Sequence, residues 1–254
     1  MSLTDIFNDS FRYPISDIPK FVVFGVLVLV SSLGFVNFGN EVLTGLLRII
    51  GFIIGILVSG YCLSIVKNAI ILSDEVPTID IQTNFIDGIK MIVLLIVYYI
   101  IPSIIVSIVA LASGLFDQVS KVLPYIAQNG TAANIPQNLL YSLGTSSVIT
   151  ALVAVIVFII FTLLFYAAIG RLAKYDSLSA GLNIPDAARD IGRIGVGKFV
   201  GWAILLAVIA CVFLVVEAFI GLIPYVGVLI SAFLVTTYLM FISYRSIGLL
   251  YSSI

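Results

Sequence analysis

The sequence predicts an all-α integral membrane protein: six transmembrane helices in three tandem hairpins, with amphipathic lead-in helices on the cytoplasmic side. Three observations carry this. Six stretches hold no charged residue: Phe21–Phe38, Ile49–Val66, Met91–Phe116, Val148–Gly170, Phe199–Val216 and Ala218–Tyr244. About 20 apolar residues cross the hydrocarbon core as a helix. Composition agrees, at 61% hydrophobic and 10% charged with a mean hydropathy of +1.25, whereas charged residues make up about 25% of a soluble domain. A soluble fold of this size has no interior for six helices that are apolar all round. The third observation is that the basic residues fall on alternate connections.

Arg12 and Lys20 precede the first span, and Lys67 and Lys90 lie in the second connection. Arg171, Lys174, Arg189, Arg193 and Lys198 lie in the fourth, and Arg245 follows the last span. Only Arg48 and Lys121 fall on the other side. Basic residues resist translocation, so both termini are expected on the cytoplasmic side of the plasma membrane. The chain opens on MSLTDIFNDSFRYPISDIPK, without a basic n-region or cleavage site, so the first span is expected to stay as an anchor.

Each hairpin opens on a lysine: Lys20 in SDIPKFVVF, Lys90 in IDGIKMIVL and Lys198 in GVGKFVGWA. The first two carry an acid three residues earlier, Asp17 and Asp87, where the third has Gly195. Each returning helix carries a tyrosine and then a base: Tyr61 and Lys67, Tyr166 and Arg171, Tyr238 and Arg245. Lys20 to Tyr61 is 41 residues, Lys198 to Tyr238 is 40, and the middle unit takes 76. The matched spacing predicts parallel repeats over residues 1–70, 71–180 and 181–254 of one membrane domain, related by a pseudo-threefold axis along the membrane normal. The plainer reading makes these lysines and tyrosines interface anchors.

The lead-ins read as amphipathic helices. Ile6, Phe7, Phe11 and Tyr13 alternate with Asp5, Asn8, Asp9 and Arg12 in the first. Ile79, Ile81, Phe85 and Ile86 alternate with Asp80, Gln82, Asn84 and Asp87 in the second. Pro185 opens the third, with Ala187, Ala188, Ile191 and Ile194 set against Asp186, Arg189, Asp190 and Arg193. Proline and acid in a first turn favour a helix start. Such segments can lie in the membrane interface, but their acidity favours elbows that aim the next span.

The outside segment 117–147 predicts two short helices, VSKVLPYIAQ and PQNLLYSLG, around the turn-rich NGTAANIP. Asn129-Gly130-Thr131 is a glycosylation sequon on that side. Asn8-Asp9-Ser10 also fits the pattern but faces the cytoplasm.

Chemistry has few footholds. Histidine is absent, and Cys62 and Cys211 both lie inside apolar stretches, which disfavours a disulfide or a transition-metal site. No nucleophile has a base beside it and no phosphate-cradling glycine loop occurs, so no catalytic residue, cofactor or nucleic-acid partner is assigned. The candidate polar membrane site consists of Glu217 and Arg48 near the outer helix ends, with Pro102 and Ser103 in the third span. A proline inside a helix removes a backbone donor and kinks it, and Ser103 or Ser107 could line the opening or simply satisfy the freed carbonyls. Pro224 reads as turn chemistry. Gly51, Gly55 and Ser59 form a small-residue face suited to close packing, within the fold or between copies in a homo-oligomer.

NFIDGIKMIVLLIVYYIIP at Asn84–Pro102 resembles the core helix of an archaeal family of polytopic membrane proteins, domain of unknown function 4013. Tyr166 with Arg171-Leu172-Ala173, and AARDIGRIGVGKFVGW at Ala187–Trp202, are similar too, and the resemblance runs from about Asp5 to Ser246. It implies a multi-helix membrane protein and brings no catalytic residues with it. The hairpin pattern is more distantly similar to membrane domains attached to some glycerophosphodiesterases, a likeness confined to the membrane part and implying no enzymatic activity here. The expected function is a non-catalytic module that binds a lipid or another membrane protein. The rival is a small-solute permease or channel with a pocket near Pro102 and Glu217.

Overall fold

The computed structural model describes residues 1–36, 39–129, 135–223 and 226–254. Pro224, Gly130, Thr131 and the side chain of Asn129 lie outside the described residues, and the sequon with them. Among the described residues there is no strand, and six helices are long and apolar enough to cross a membrane.

In chain order, α1 (Leu3–Arg12) leads into the first span, α2 (Ile18–Ser32), which returns through α3 (Glu41–Ile70). The second hairpin is α4 (Ile81–Ala112) and α6 (Gln137–Tyr175), with α5 (Leu115–Asn129) between them. A short α7 (Leu178–Leu182) and α8 (Ile184–Ile194) lead to α9 (Val196–Ile220). The last span is α10 (Val226–Ile230), a π-helical turn at Ser231–Thr236 and α11 (Thr237–Tyr251).

Local chemistry sets the boundaries. Ser2 and Asp5 form a reciprocal capping box on α1, satisfying two otherwise orphaned backbone donors. Asp17 caps α2, Asn40 caps α3, and Asn183 caps α8 ahead of Pro185 in its first turn. Gly195 separates α8 from α9 at φ +100°, a conformation glycine adopts without a Cβ clash. α3 and α6 end alike: Leu72 and Asp176, each five residues after Lys67 or Arg171, turn the chain at φ 56° and 46°.

Two expectations need correcting. The second lead-in is no separate helix, because Ile81–Ala112 runs unbroken from the cap of Asp80, whose carboxylate accepts from the amides of Gln82 and Thr83. The second short outside helix is likewise the opening of α6, which starts after Pro136 and continues to Tyr175. Neither place has the positive-φ glycine that breaks the third lead-in from its span.

The chain divides into two compact units, Met1–Leu95 with Leu164–Ile254, and Ile96–Leu163. Within the first, α3 is the central helix. Half of its most apolar window is buried, against 11% for α6, so α3 packs on protein where α6 leaves its apolar surface exposed. Phe24, Tyr61 and Phe241 build the aromatic centre, with ring centroids 4.6 Å apart for Phe24–Tyr61 and 5.3 Å for Phe24–Phe241. α3 and α4 touch backbone to backbone at Gly60 and Gly88, where a Cβ would fall 1.7 Å from Asn84 O and 1.9 Å from Ile56 O. α1 and α8 turn their apolar sides inwards, burying Ile6 and Phe7, and Ala187 and Ile194. Cys62 is buried, Cys211 is exposed, and both are free.

Within the second unit, hydroxyls join the helices. Ser146 Oγ donates to Ser113 O at 2.7 Å, and Tyr99 and Thr162 share a hydrogen bond of 3.3 Å.

Candidate functional site

Most of the ion-paired side chains of the first unit gather into three clusters. Each joins the C-terminal end of one span to the lead-in of another. In the first, Lys67 of α3 donates to Asp87 of α4 at 2.7 Å, and Lys90 reaches the other oxygen at 2.9 Å. Both lysines also hold Asp176, at 2.8 and 3.1 Å. In the second, Arg171 of α6 donates to Asp190 of α8 at 2.6 Å and to Asp186 at 3.1 Å, while its Nε reaches Ala180 O. Arg193 and the Tyr251 hydroxyl complete the shell of Asp190.

In the third, Arg245 of α11 grips Asp9 of α1, its Nε 2.7 Å from Oδ1. It also donates to Ser73 O and to Asp74 at 3.1 Å, and its guanidinium lies 4.3 Å from the centre of the Tyr13 ring. Arg245 is only 1% exposed, so these contacts replace nearly all of its hydration. Such desolvation is offset only where the donors are well satisfied, and here all three guanidinium nitrogens are engaged.

The connection after α3 is pinned by the same residues. Tyr13 OH donates to Glu75 O, Lys20 Nζ to Val76 O and Tyr61 OH to Pro77 O, at 2.9, 2.6 and 3.0 Å. Burial pushes the Tyr13 hydroxyl up to about 12. Asp176 moves the other way: the hydrogen bond from Lys67, with Lys90 adding to it, holds its carboxyl below the usual 3.8. A carboxylate depressed in the folded state contributes stability above its unfolded pKa and loses it as the pH falls through the folded one. The melting temperature in detergent is therefore expected to stay level from pH 7 to 5 and to fall below about pH 4. Asp176→Asn should flatten that acid slope; an unchanged slope would show that the Lys67–Lys90 bridge contributes nothing.

The residues singled out in the sequence distribute as follows. Tyr61 lies inside the bundle rather than at its edge, fully buried against Phe24. Tyr166 packs edge-on against Trp202 at 5.3 Å. Tyr238 stacks on Phe213 at 6.0 Å and donates to Phe11 O. Lys198 follows the Gly195 break and enters no ion pair among the described residues. Pro102 is buried in an unbroken α4, and Ser103 and Ser107 donate to carbonyls of their own helix, Tyr99 O and Ser103 O.

Glu217 is half-buried and accepts from Thr236 Oγ1 at 2.8 Å, beside the π-helical turn. Among the described residues no ion pair joins it to Arg48. Glu217 lies in the first unit and Pro102 in the second. Arg48 is exposed and stands at a groove of about 420 Å³ with Ser31, Gly34, Gly51, Gly55 and Ser59.

Sequence reasoning missed the Lys67–Asp87, Arg171–Asp190 and Arg245–Asp9 pairs, although it named every residue in them. Their shared signal was available: a base closing each returning helix and an acid in each lead-in. It also missed Gly60 and Gly88.

The family described as "Protein of unknown function (DUF4013)" matches residues 43–224. That stretch holds all but the first two residues of α3, all of α4, α6 and α9, and the ion pairs of Lys67 and Arg171. No curated protein and no solved structure matches the chain. With well over half its length matched, the chain belongs to the DUF4013 family.

Proposed function

We propose that the protein is a non-catalytic membrane module that binds a lipid or a partner protein through its helix bundle. One observation carries the reading: the buried ionisable groups of the polar end are paired with one another, while the exposed large apolar side chains are mostly aliphatic. Asp87, Asp190, Arg171 and Arg245 are buried in mutual pairs, which supports a structural role and leaves none of them free for proton transfer. Contiguous apolar surface on this scale suits lipid or membrane-protein contact.

On this reading the three hairpins are repeats around a pseudo-threefold axis, each base holding the next lead-in in cyclic order. The cycle runs Lys67 to Asp87, Arg171 to Asp190, and Arg245 to Asp9. The polar end faces the cytoplasm, both termini with it, and the protein resides in the plasma membrane of an archaeal cell.

Flux measurements in liposomes test the module against a permease. The protein is expected to carry no proton or cation flux above empty vesicles. Glu217→Gln should leave stability within about 1 kcal/mol, the worth of one neutral hydrogen bond. A flux present in the wild type and abolished by Glu217→Gln would defeat the module and establish the permease.

A further inference from the structure

We infer that the groove beside Arg48 is a site for one anionic phospholipid, its hydrocarbon chain along α3 and its phosphate on the guanidinium. This deepens the binding-module reading above and rests on it.

The groove runs along α3 from Arg48 to Ser59, with walls from Ser31 of α2, Gly34 in the 3-10 turn that follows it, and Ile92 of α4. Eleven residues of helix rise about 16 Å, comparable to much of an extended lipid chain. Its lining is formed by what is missing. A Cβ on Gly55 would meet nothing within 4 Å, so the glycine leaves open space on the groove side. Gly51 is different: its Cβ would lie 2.8 Å from Ser31 O, so it sets how closely α2 and α3 cross beneath the groove. The serine hydroxyls are turned back into their own helices, Ser31 Oγ to Val28 O at 2.7 Å and Ser59 Oγ to Gly55 O at 2.9 Å.

What remains is an apolar trough, with Phe35, Phe52, Ile56 and Ile92 in its lining and one cation at its end. Arg48 enters no ion pair among the described residues, unlike Arg171 and Arg245. The guanidinium is weakly hydrated and matches phosphate through paired donors, and its stem lies easily along apolar surface while the head reaches the headgroup level. A partner helix would bring no charge to Arg48 unless it carried an acid at that depth. A phospholipid supplies chain and anion together, and the charge complementarity therefore selects it.

The test is native mass spectrometry of the full chain released from nanodiscs of phosphatidylglycerol and phosphatidylcholine in equal amounts. The wild type should retain one phosphatidylglycerol in preference to phosphatidylcholine. Arg48→Gln should cut that preference about tenfold, the equivalent of one charged contact. Gly55→Leu, which fills the trough, should reduce retention of both lipids while leaving the melting temperature near the wild type. Equal retention of the two lipids, unchanged in both variants, would overturn the Arg48 site and leave lipid binding elsewhere intact. No lipid on the wild type, with a partner protein or nothing retained from native membranes, would overturn the site and the lipid arm of the proposed function together.

Discussion

Asp190→Ala should cost about 3–5 kcal/mol of stability, as expected for removing one partner of a buried ion pair. The acid has 2% of its side chain exposed and the Arg171 side chain 8%, so water cannot replace what is lost. The guanidinium would keep only Asp186 and Ala180 O, and Tyr251 would lose the acceptor of its hydroxyl. α8 would lose its main tie to α6, and with it the angle at which α9 starts after Gly195. Trp202, the single tryptophan, is fully buried just beyond that break and reports the change by fluorescence during denaturant unfolding. Asp190→Asn keeps an acceptor and should fall between, while Arg193→Ala, 64% exposed on its side chain, should cost under about 1 kcal/mol. Equal midpoints for Asp190→Ala and Arg193→Ala would mean that burial has no bearing on this pair.

Gly60→Ala and Gly88→Ala are the second pair of large effects. Each added methyl lands inside van der Waals contact of a backbone carbonyl, Asn84 O or Ile56 O, and backbone cannot rotate away as a side chain can. α3 and α4 must separate, straining the Lys67–Asp87 contact and the hydrogen bond from Asn84 to Ser64 Oγ (2.9 Å). A loss of about 3 kcal/mol is expected, the upper end for overpacking a well-packed interior. Gly55→Ala is the matched control on α3. Its methyl meets open space, so helix propensity alone should act, stabilising by up to about 1 kcal/mol. If all three alanines behaved alike, the close crossing of α3 and α4 would be wrong.

How much of this could be read in advance depended on the range of the interaction. Spans were legible because a run of uncharged residues needs no partner to be recognised. Family membership followed from the same runs together with short stretches such as Arg171-Leu172-Ala173. The lead-ins at α1 and α8 were legible as helices from their alternation, while the second required knowing that no residue between Asp80 and Lys90 breaks the backbone. The members of the ion pairs were legible, as a base closing each returning helix and an acid in each lead-in. Which acid each base meets was not, since Arg245 and Asp9 are 236 residues apart and only the fold brings them together. Tyr61 read as an edge residue because a hydroxyl in an apolar stretch suggests water nearby; the structure supplies Pro77 O instead. Gly60 looked like any other small residue, because its role depends on which side of α3 meets α4. Glu217 was legible as an acid near a helix end, but its partner Thr236 belongs to a π-helical turn that no periodicity announces.

Charge in this protein fastens helices to one another, and a double-mutant cycle on Arg171 and Asp190 tests that most directly. Arg171→Met, Asp190→Leu and the double variant are compared by denaturant unfolding followed through Trp202. Each single change leaves a buried charge without its partner, whereas the double change replaces a buried pair by apolar groups, often nearly neutral. The double variant is expected to recover at least about 2 kcal/mol relative to the sum of the singles, well above the additive limit of about 0.5 kcal/mol. Additivity within that limit would contradict the account, because the two residues would then contribute to the fold independently of each other.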